Sequence, residues 1–219
     1  MSIASKSPRK VAAVALEVGK RTFPKYSHRY SRRDYTLPQL FALLVLRKFF
    51  KADYRGICQY MQDLPSLQNV LGLKKVPHYT TLQKAESRLF NDDRIRQLIT
   101  HTLDLHHGEK PAATSHRIDQ VAVDATGLHT DRASRYFVRR RSRSPGRPLQ
   151  NTRYTHYGKL MVAVDCENHL ILATLASRGP SPDVDQLEDL LKGFCFNAVP
   201  EQVLADAGFD SEANHARLR

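Results

Sequence analysis

The sequence lacks a long apolar run. The longest unbroken one extends from Leu40 to Leu46 (LFALLVL), whereas a helix that crosses a bilayer needs roughly 20 apolar residues. The N-terminus starts with basic residues, but the apolar stretch that follows is weak and is interrupted by Glu17, which is not the pattern of a signal peptide. We therefore expect neither a membrane span nor a secretion signal, and we interpret residues 1–33 as a basic N-terminal arm, either frayed or forming a short helix.

Cysteine is scarce as well. The 219 residues include only Cys58, Cys166 and Cys195, and no two of them form a CxxC pair. An odd number of widely spaced cysteines argues against a disulfide framework and favours a reducing interior. The expected location is therefore the cytoplasm, in association with the nucleoid if the protein binds DNA.

Acidic residues are outnumbered by basic ones. The chain has 22 Asp and Glu against 34 Lys and Arg, which gives a formal net charge of +12 and a pI near 9.8. A surplus of this size predicts attraction to a polyanion, and nucleic acid is the commonest one. A basic but inert surface has the same composition, so charge alone leaves both readings open.

A change of pattern divides the chain. Residues 108–117 (GEKPAATSHR) contain Gly, Pro, Ser and Thr without apolar periodicity, which is typical of a linker. The residues before it, 34–107, have helical patterns and are interpreted as a small all-α, helix-turn-helix-like DNA-binding domain. The helices predicted there cover Leu37–Leu46, Tyr54–Met61 up to Pro65, and Leu67–Leu71 up to Gly72.

A further helix is predicted in VPHYTTLQKAESRLF. Thr80 and Gln83 have the spacing of a capping box at its start. Lys84 and Arg88 share one face, and the apolar residues share another: Leu82, Ala85 and Leu89. A basic face opposite an apolar one suits a recognition helix in a DNA groove, although a plain helical bundle explains the pattern equally well.

After the linker the pattern changes to strands. Alternating or continuous apolar runs end in turn residues, and a helix capped by Ser181 or Asp183 and ended by Gly193 interrupts them. The predicted strands cover residues 118–123, 160–164, 170–175 and 202–205. This order predicts an α/β domain with a mixed sheet over residues 118–219.

Two aspartates follow strands of this domain: Asp124 in VAVDATG and Asp206 in VLADAGFD. The carboxyl ends of adjacent parallel strands gather functional side chains. Two carboxylates that meet there suit Mg²⁺, and bound ions can activate water and stabilise the leaving oxygen of a phosphodiester. The alternative is that each carboxylate only caps the next turn, as we expect for Asp165. Two such acids in a basic chain favour the metal site.

An arginine-rich segment separates the first strand from the second. Residues 129–155 contain eight arginines and one acid, with Tyr136, Phe137 and Tyr154 among them. Arginine forks suit phosphates, and aromatic rings stack on bases, although a solvated loop or a localisation signal has a similar composition. We assign DNA contact to this segment and to Lys159 on the next strand; the arginines are Arg139, Arg140, Arg141, Arg143 and Arg147.

These motifs resemble those of a known family. In order they are VAVDATGLHT, RRRSR, YGKLMVAVDCENHLILATLASRGPSPDVDQLEDLL and VLADAGFDSEANH, and together they resemble the RNase H-like catalytic domain of DDE-type insertion-sequence transposases. The earlier segment from RRDYTLPQL to PHYTTLQKAESRL is similar to the helical N-terminal region of these proteins. The resemblance implies that Asp124 and Asp206 are the first two catalytic acids and bind Mg²⁺ or Mn²⁺. It also implies DNA cleavage and strand transfer, with the element's terminal repeats, target DNA and a homodimer as partners.

One feature departs from the family pattern. The third catalytic acid of the family is a glutamate on a later helix, but the sequence ends at Arg219, and Glu212 is too close to Asp206 to match it. We therefore expect a C-terminally shortened transposase with an incomplete sheet, an unpaired edge strand and poor stability in isolation. Two alternatives remain: a non-enzymatic DNA-binding protein that competes with an active transposase, and a host nuclease of the same fold.

Overall fold

The computed structural model describes residues 6–107, 117–128, 157–179, 181–194 and 199–218. The chain divides into two compact units, residues 1–111 and 112–219, and the division falls within the segment interpreted as a linker. Within the described residues, no helix combines the length and the apolar character needed to cross a membrane. Each unit is described separately below.

The first unit is helical. Its described residues form six helices, and their apolar faces share one core in which Leu43, Leu46, Ile57 and Met61 are fully buried. The helices are α1 (Pro8–Thr22), α2 (Leu37–Phe49), α3 (Tyr54–Asp63), α4 (Pro65–Leu71), α5 (Tyr79–Leu89) and α6 (Asp92–His107).

Helix α1 belongs to this core, which changes the interpretation of residues 1–33 as an arm. Ala12, Ala15 and Val18 recur every third position on one face and are buried against the other helices. Glu17, which interrupts the apolar pattern in the sequence, lies 3.4 Å from the ammonium nitrogen of Lys20 on the exposed side. Residues 8–22 are therefore an amphipathic helix of the helical unit rather than a separate arm.

Capping residues determine where the helices begin and end. Gly72 ends α4 in the left-handed conformation, at φ 62°, as predicted. The predicted capping box at Thr80 and Gln83 is wrong, because α5 starts two residues earlier than a cap at Thr80 would place it. Its N-cap is His78, whose ring nitrogen accepts a hydrogen bond from the Thr80 amide. A capping box is present instead at the start of α2, between Thr36 and Gln39.

The second unit is built on a four-stranded mixed sheet. The described strand order is β3-β2-β1-β4, in which β2 pairs antiparallel with both β1 and β3, and β4 pairs parallel with β1. The predicted α/β class with a mixed sheet after an all-α region is confirmed. The elements are β1 (Arg117–Leu128), β2 (Tyr157–Asp165), β3 (Ile171–Gly179), α7 (Leu187–Lys192), β4 (Val199–Leu204) and α8 (Glu212–Leu218).

The two faces of the sheet differ in burial. On one face Val121, Val123, Met161 and Ala163 are buried. Helix α7, which buries Leu187 and Leu190, contacts β2 and β3. The opposite face is exposed at several positions because successive side chains of a strand alternate between the faces. Residues of even number on β1 lie on this second face, which is called the open face below.

Strand β1 is longer than predicted. The sequence pattern placed its end at Asp124, but β2 pairs with β1 as far as the Leu128–Gly158 pair. The pairing partner supplies hydrogen bonds to residues whose side chains have no apolar pattern, so periodicity could not show this extension. Asp124 therefore lies inside the strand, opposite Val162 of β2.

Candidate functional site

Asp124 of β1 and Asp206, two residues after the end of β4, lie towards the same end of two adjacent strands. The parallel pairing of β1 with β4 extends to Ala122 and Leu204. Asp124 and Asp206 each follow these paired residues by two positions, so continuing the register sets the two aspartates opposite each other. Both residues are exposed. The predicted adjacency of the two parallel strands is confirmed.

The direction of the Asp124 side chain follows from the pleat. It shares the open face with Gln120, whose side-chain amide donates a 2.9 Å hydrogen bond to the side chain of Gln202 on β4. Oδ1 of Asp124 accepts a hydrogen bond of 2.7 Å from the amide of Ala125. Asp124 lies beyond the last described pair of β1 with β4, Ala122–Leu204, so the backbone beneath this carboxylate is held by its pairing with Val162 of β2.

Asp206 begins a short turn. It follows the end of β4 and is the N-cap of the 3₁₀ turn Ala207–Phe209, where its Oδ1 accepts a 2.9 Å hydrogen bond from the Gly208 amide. Within the described ranges, no donor bonds its Oδ2. Oδ1 of Asp206 therefore caps the turn, as the alternative to a metal site expects, and Oδ2 remains available for a ligand.

A third carboxylate lies beside Asp206. A methyl group placed on Gly208 would lie 3.0 Å from Oδ1 of Asp206 and 3.7 Å from Oδ2 of Asp183. The two carboxylates therefore border the same small space, which glycine leaves open. The sequence predicts Asp183 only as a helix cap, because nothing in the order of residues relates it to Asp206.

Lys159 does not have the predicted role in DNA contact. Its side chain is 6% exposed, forms an ion pair with Asp183, and donates a 2.6 Å hydrogen bond to the carbonyl oxygen of Ser181. The physical reason is the pleat: Lys159 has the same parity as Met161 and Ala163, so it points to the buried face. That parity was already visible in the run KLMVAVD.

The carboxylates fit part of a metal site. Asp124 and Asp206 offer exposed oxygen ligands of the type that Mg²⁺ and Mn²⁺ prefer, at one level of adjacent strands. No group of three or more His, Cys, Asp or Glu side chains in the described segments is arranged to hold a metal ion. Among the described residues, Asp124 and Asp206 are therefore two candidate ligands and do not form a complete metal site.

One described cavity of the α/β unit is not lined by these aspartates. It is open, has a volume of about 360 Å³, and lies beside the starts of β1 and β4. Its lining includes Asp119, Cys166, Glu167 and Glu201. The cavity does not include Asp124 or Asp206, and it has no apolar floor to bind an organic ligand, so we assign it no role in catalysis.

The arginines assigned to DNA contact lie outside the described residues. They belong to the segment 129–156, so the assignment stays a prediction. The residues concerned are Arg139, Arg140, Arg141, Arg143 and Arg147.

Helix α5 has the predicted two-faced character. Its apolar residues Leu82, Ala85 and Leu89 are buried, whereas Lys84 and Arg88 are exposed. More cations are exposed near the start of the helix: Lys74 and Lys75 precede it, and Arg55 of α3 lies over the Tyr79 ring at 4.6 Å. The exposed side of α5 is therefore basic along its length.

A partly buried network holds α5 from the other side. Glu86 of α5 accepts hydrogen bonds of 2.8 and 2.9 Å from Arg47 of α2 and a third from the hydroxyl of Tyr54 on α3. The hydrogen bond to Glu86 raises the pKa of Tyr54, because ionisation would set a phenolate against a carboxylate. Sequence reasoning missed this network, and the one acid in an otherwise basic helix was its only signal.

Comparison with known proteins identifies one family. Residues 115–219 match the family model described as "Transposase DDE domain", and this range includes both Asp124 and Asp206. No curated protein and no solved structure matches the chain.

Proposed function

Residues 115–219 belong to the transposase DDE-domain family, and on that premise we propose that the protein binds the ends of an insertion sequence and contributes to metal-dependent DNA cleavage and strand transfer. The observation that supports this most directly is the parallel pairing of β1 with β4, which extends to Ala122 and Leu204, each two residues before one of the two aspartates. The family itself implies a role in transposition, with DNA as a partner.

In the proposed reaction the two aspartates hold Mg²⁺ or Mn²⁺. When bound, such an ion lowers the pKa of a bound water and neutralises charge on the phosphodiester. Asp124 supplies a carboxylate from a strand that β2 pairs at this position, and the Gly208 amide orients Asp206 through one oxygen. The chain's contribution is thus a pair of oxygen ligands on a rigid frame, which is what positioning a metal requires.

The helical unit is proposed to bind DNA through the exposed side of α5. Lys84 and Arg88 present positive charge there, while the network around Glu86 fixes the helix to α2 and α3. Cations on a fixed helix can contact backbone phosphates along a groove. The arginines of the segment 129–156 are proposed to bind phosphates close to the aspartates.

The test is cleavage of labelled duplex DNA that carries an insertion-sequence end, with Mg²⁺ or Mn²⁺ and the full chain. Asp124→Asn should abolish cleavage and leave DNA binding within about twofold, because it removes one metal ligand and no phosphate contact. Asp119→Asn is the matched control, since it changes an exposed acid on the same strand. Cleavage that survives in Asp124→Asn would refute the metal role.

A second candidate function is a non-enzymatic DNA-binding protein that occupies element ends and competes with an active transposase. It is favoured by the absence, among the described residues, of any group of three or more His, Cys, Asp or Glu side chains that could hold a metal ion. Salt-sensitive DNA binding without cleavage under either metal would support it. If the wild-type chain binds no DNA, both candidate functions fail.

A further inference from the structure

We propose that a cavity at the C-terminal end of α5 is a binding site for a backbone phosphate of DNA. The proposal rests on the DNA binding proposed above and adds a contact that is separate from Lys84. The cavity has a volume of about 150 Å³ and lies within the helical unit. Ser27, Arg88 and Arg94 line it together with the apolar residues Pro24, Leu37 and Leu89.

Arg94 is held in place by the end of α5. Its Nη1 donates hydrogen bonds of 2.9 and 3.5 Å to the carbonyl oxygens of Arg88 and Leu89, and its guanidinium lies 5.7 Å from the centre of the Phe23 ring. Carbonyl groups at a helix C-terminus carry partial negative charge, which stabilises a cation there. The guanidinium is thus pre-organised, and its other N–H groups can serve a ligand.

Arg88 is oriented in a similar way. Its Nε donates a 2.9 Å hydrogen bond to the carbonyl oxygen of Lys84 one turn earlier. None of the described residues accepts a hydrogen bond from its two Nη groups. Two oriented guanidinium groups on one cavity match the several oxygens of a phosphate, which arginine forks bind through paired hydrogen bonds. Ser27, at the same cavity, adds a hydroxyl group, whose oxygen is hydrogen-bonded at 3.0 Å to that of Ser31.

The charge around the cavity favours a polyanion. No carboxylate is among the described residues that line it, and the adjacent residues 24–33 (PKYSHRYSRR) contain four Lys and Arg and no acid. Tyr30 in this segment is 75% exposed, and the Arg29 guanidinium lies 4.5 Å from its ring centre. A free phosphate could use the same two arginines, but the flanking cations and exposed ring extend the surface as a nucleic acid requires.

The experiment measures the binding of a fluorescein-labelled 25-bp duplex of random sequence to the full chain over a series of salt concentrations. Ser27→Asp places a negative charge at the cavity and leaves the hydrogen bonds of Arg94 to α5 intact. We expect it to weaken binding by about tenfold and to reduce the salt slope of log Kd by about one, as loss of one phosphate contact does. Arg94→Gln should lower the slope by a similar amount.

Arg9→Gln is the control, because it removes an exposed arginine of α1 outside the cavity; its salt slope should equal that of the wild type. If Ser27→Asp and Arg94→Gln both retain the wild-type slope while Lys84→Gln weakens binding, the phosphate-binding site is refuted and the proposed DNA binding stands. If the wild-type chain does not bind the duplex, the proposed DNA binding itself fails.

A titration with inorganic phosphate at constant ionic strength distinguishes the two sources of the anion. If the cavity binds DNA phosphate, millimolar inorganic phosphate should leave the thermal unfolding temperatures of the wild type and of Ser27→Asp equally unchanged. Protection of the wild type alone, together with unchanged duplex binding by Ser27→Asp, would assign the cavity to a free anion and overturn the proposal.

Discussion

The core of the helical unit and the open face of the sheet bury apolar side chains to different extents. In the helical unit, Leu43 and Leu46 of α2 are 0% exposed, and all six described helices contribute to one core. In the α/β unit, Leu128 of β1 is 50% exposed and Leu204 of β4 is 46% exposed. By register, both of these leucines lie on the open face with Asp124.

The difference teaches where each unit obtains its stability. A helical core that is covered on all sides gains the full free energy of burying its apolar area. A sheet with one well-covered face gains this free energy mainly from the covered face. Strand β4, which precedes Asp206, is the edge of the described sheet. The candidate catalytic residues thus lie at exposed positions on or next to the less buried face of the sheet, where a nucleic acid or a further element can reach them.

The largest expected effect contrasts a buried leucine with an exposed one. Leu43→Ala should lower the free energy of unfolding of the helical unit by about 3 kcal/mol, because it leaves a cavity in a fully buried site. Leu204→Ala should change the α/β unit by less than about 0.5 kcal/mol, since the side chain is already half in water. Hydrogen exchange of the full chain, followed by mass spectrometry, resolves the two units. A large effect of Leu204→Ala would show that the open face is covered in solution.

The next largest expected effect is the loss of stability when the ion pair between Lys159 and Asp183 is broken. Asp183→Asn leaves Lys159, which is 6% exposed, without its counter-charge. Removing one partner of a buried pair costs about 3 kcal/mol, and we expect a value at or below this because Asp183 is itself 29% exposed. Denaturant unfolding of the α/β unit measures it.

Two variants test this interpretation. Asp185→Asn changes an exposed acid in the same turn and should leave stability unchanged. Adding Lys159→Met to Asp183→Asn should restore part of the loss, because the buried charge is then gone as well. Equal stability of Asp183→Asn and the wild type would contradict a structural role for the pair.

A smaller effect tests the network that fixes α5. Tyr54 has a raised pKa because of its hydrogen bond to Glu86, so its neutral form stabilises the fold below pH about 10. That contribution is lost as the pH rises through the pKa in the folded state. Tyr54→Phe should cost about 1 kcal/mol at pH 7, and its stability should fall less steeply than that of the wild type above pH about 10.

Tyr35 gives the background for this measurement. Burial raises its pKa as well, so it contributes to the alkaline loss of stability in both proteins, and only the difference between them reports Tyr54. Parallel stability curves for the wild type and Tyr54→Phe from pH 8 to 11 would contradict the network.

Sequence reasoning succeeded where a local rule decides the structure. The spacing of Leu82, Ala85 and Leu89 predicted the buried face of α5, and Gly72 predicted the end of α4, because both follow from the geometry of a single helix. The adjacency of the strands that precede Asp124 and Asp206 followed from strand order and family resemblance. Each of these features needs only information that is close together in the chain or repeated across a family.

Sequence reasoning failed where a distant partner decides the structure. Lys159 looked like a DNA contact until the sheet register turned it toward Asp183, and β1 looked short because its extension depends on β2. The cavity between Ser27 and Arg94 likewise combines a loop and a helix start that lie far apart in the sequence. No periodicity contains such pairings, so these parts of the site required the tertiary structure.

The smallest effect tests a cap that the sequence analysis misplaced. Thr36 accepts a hydrogen bond from the Gln39 amide, and Gln39 Oε1 accepts one of 2.8 Å from the Thr36 amide. Thr36→Ala should therefore cost about 1 kcal/mol of helical-unit stability. Thr80→Ala should cost less than about 0.5 kcal/mol, because Thr80 lies inside α5 and His78 is the cap. Thermal unfolding monitored by circular dichroism compares the two variants. A larger loss in Thr80→Ala would place the start of α5 where the sequence pattern alone had put it.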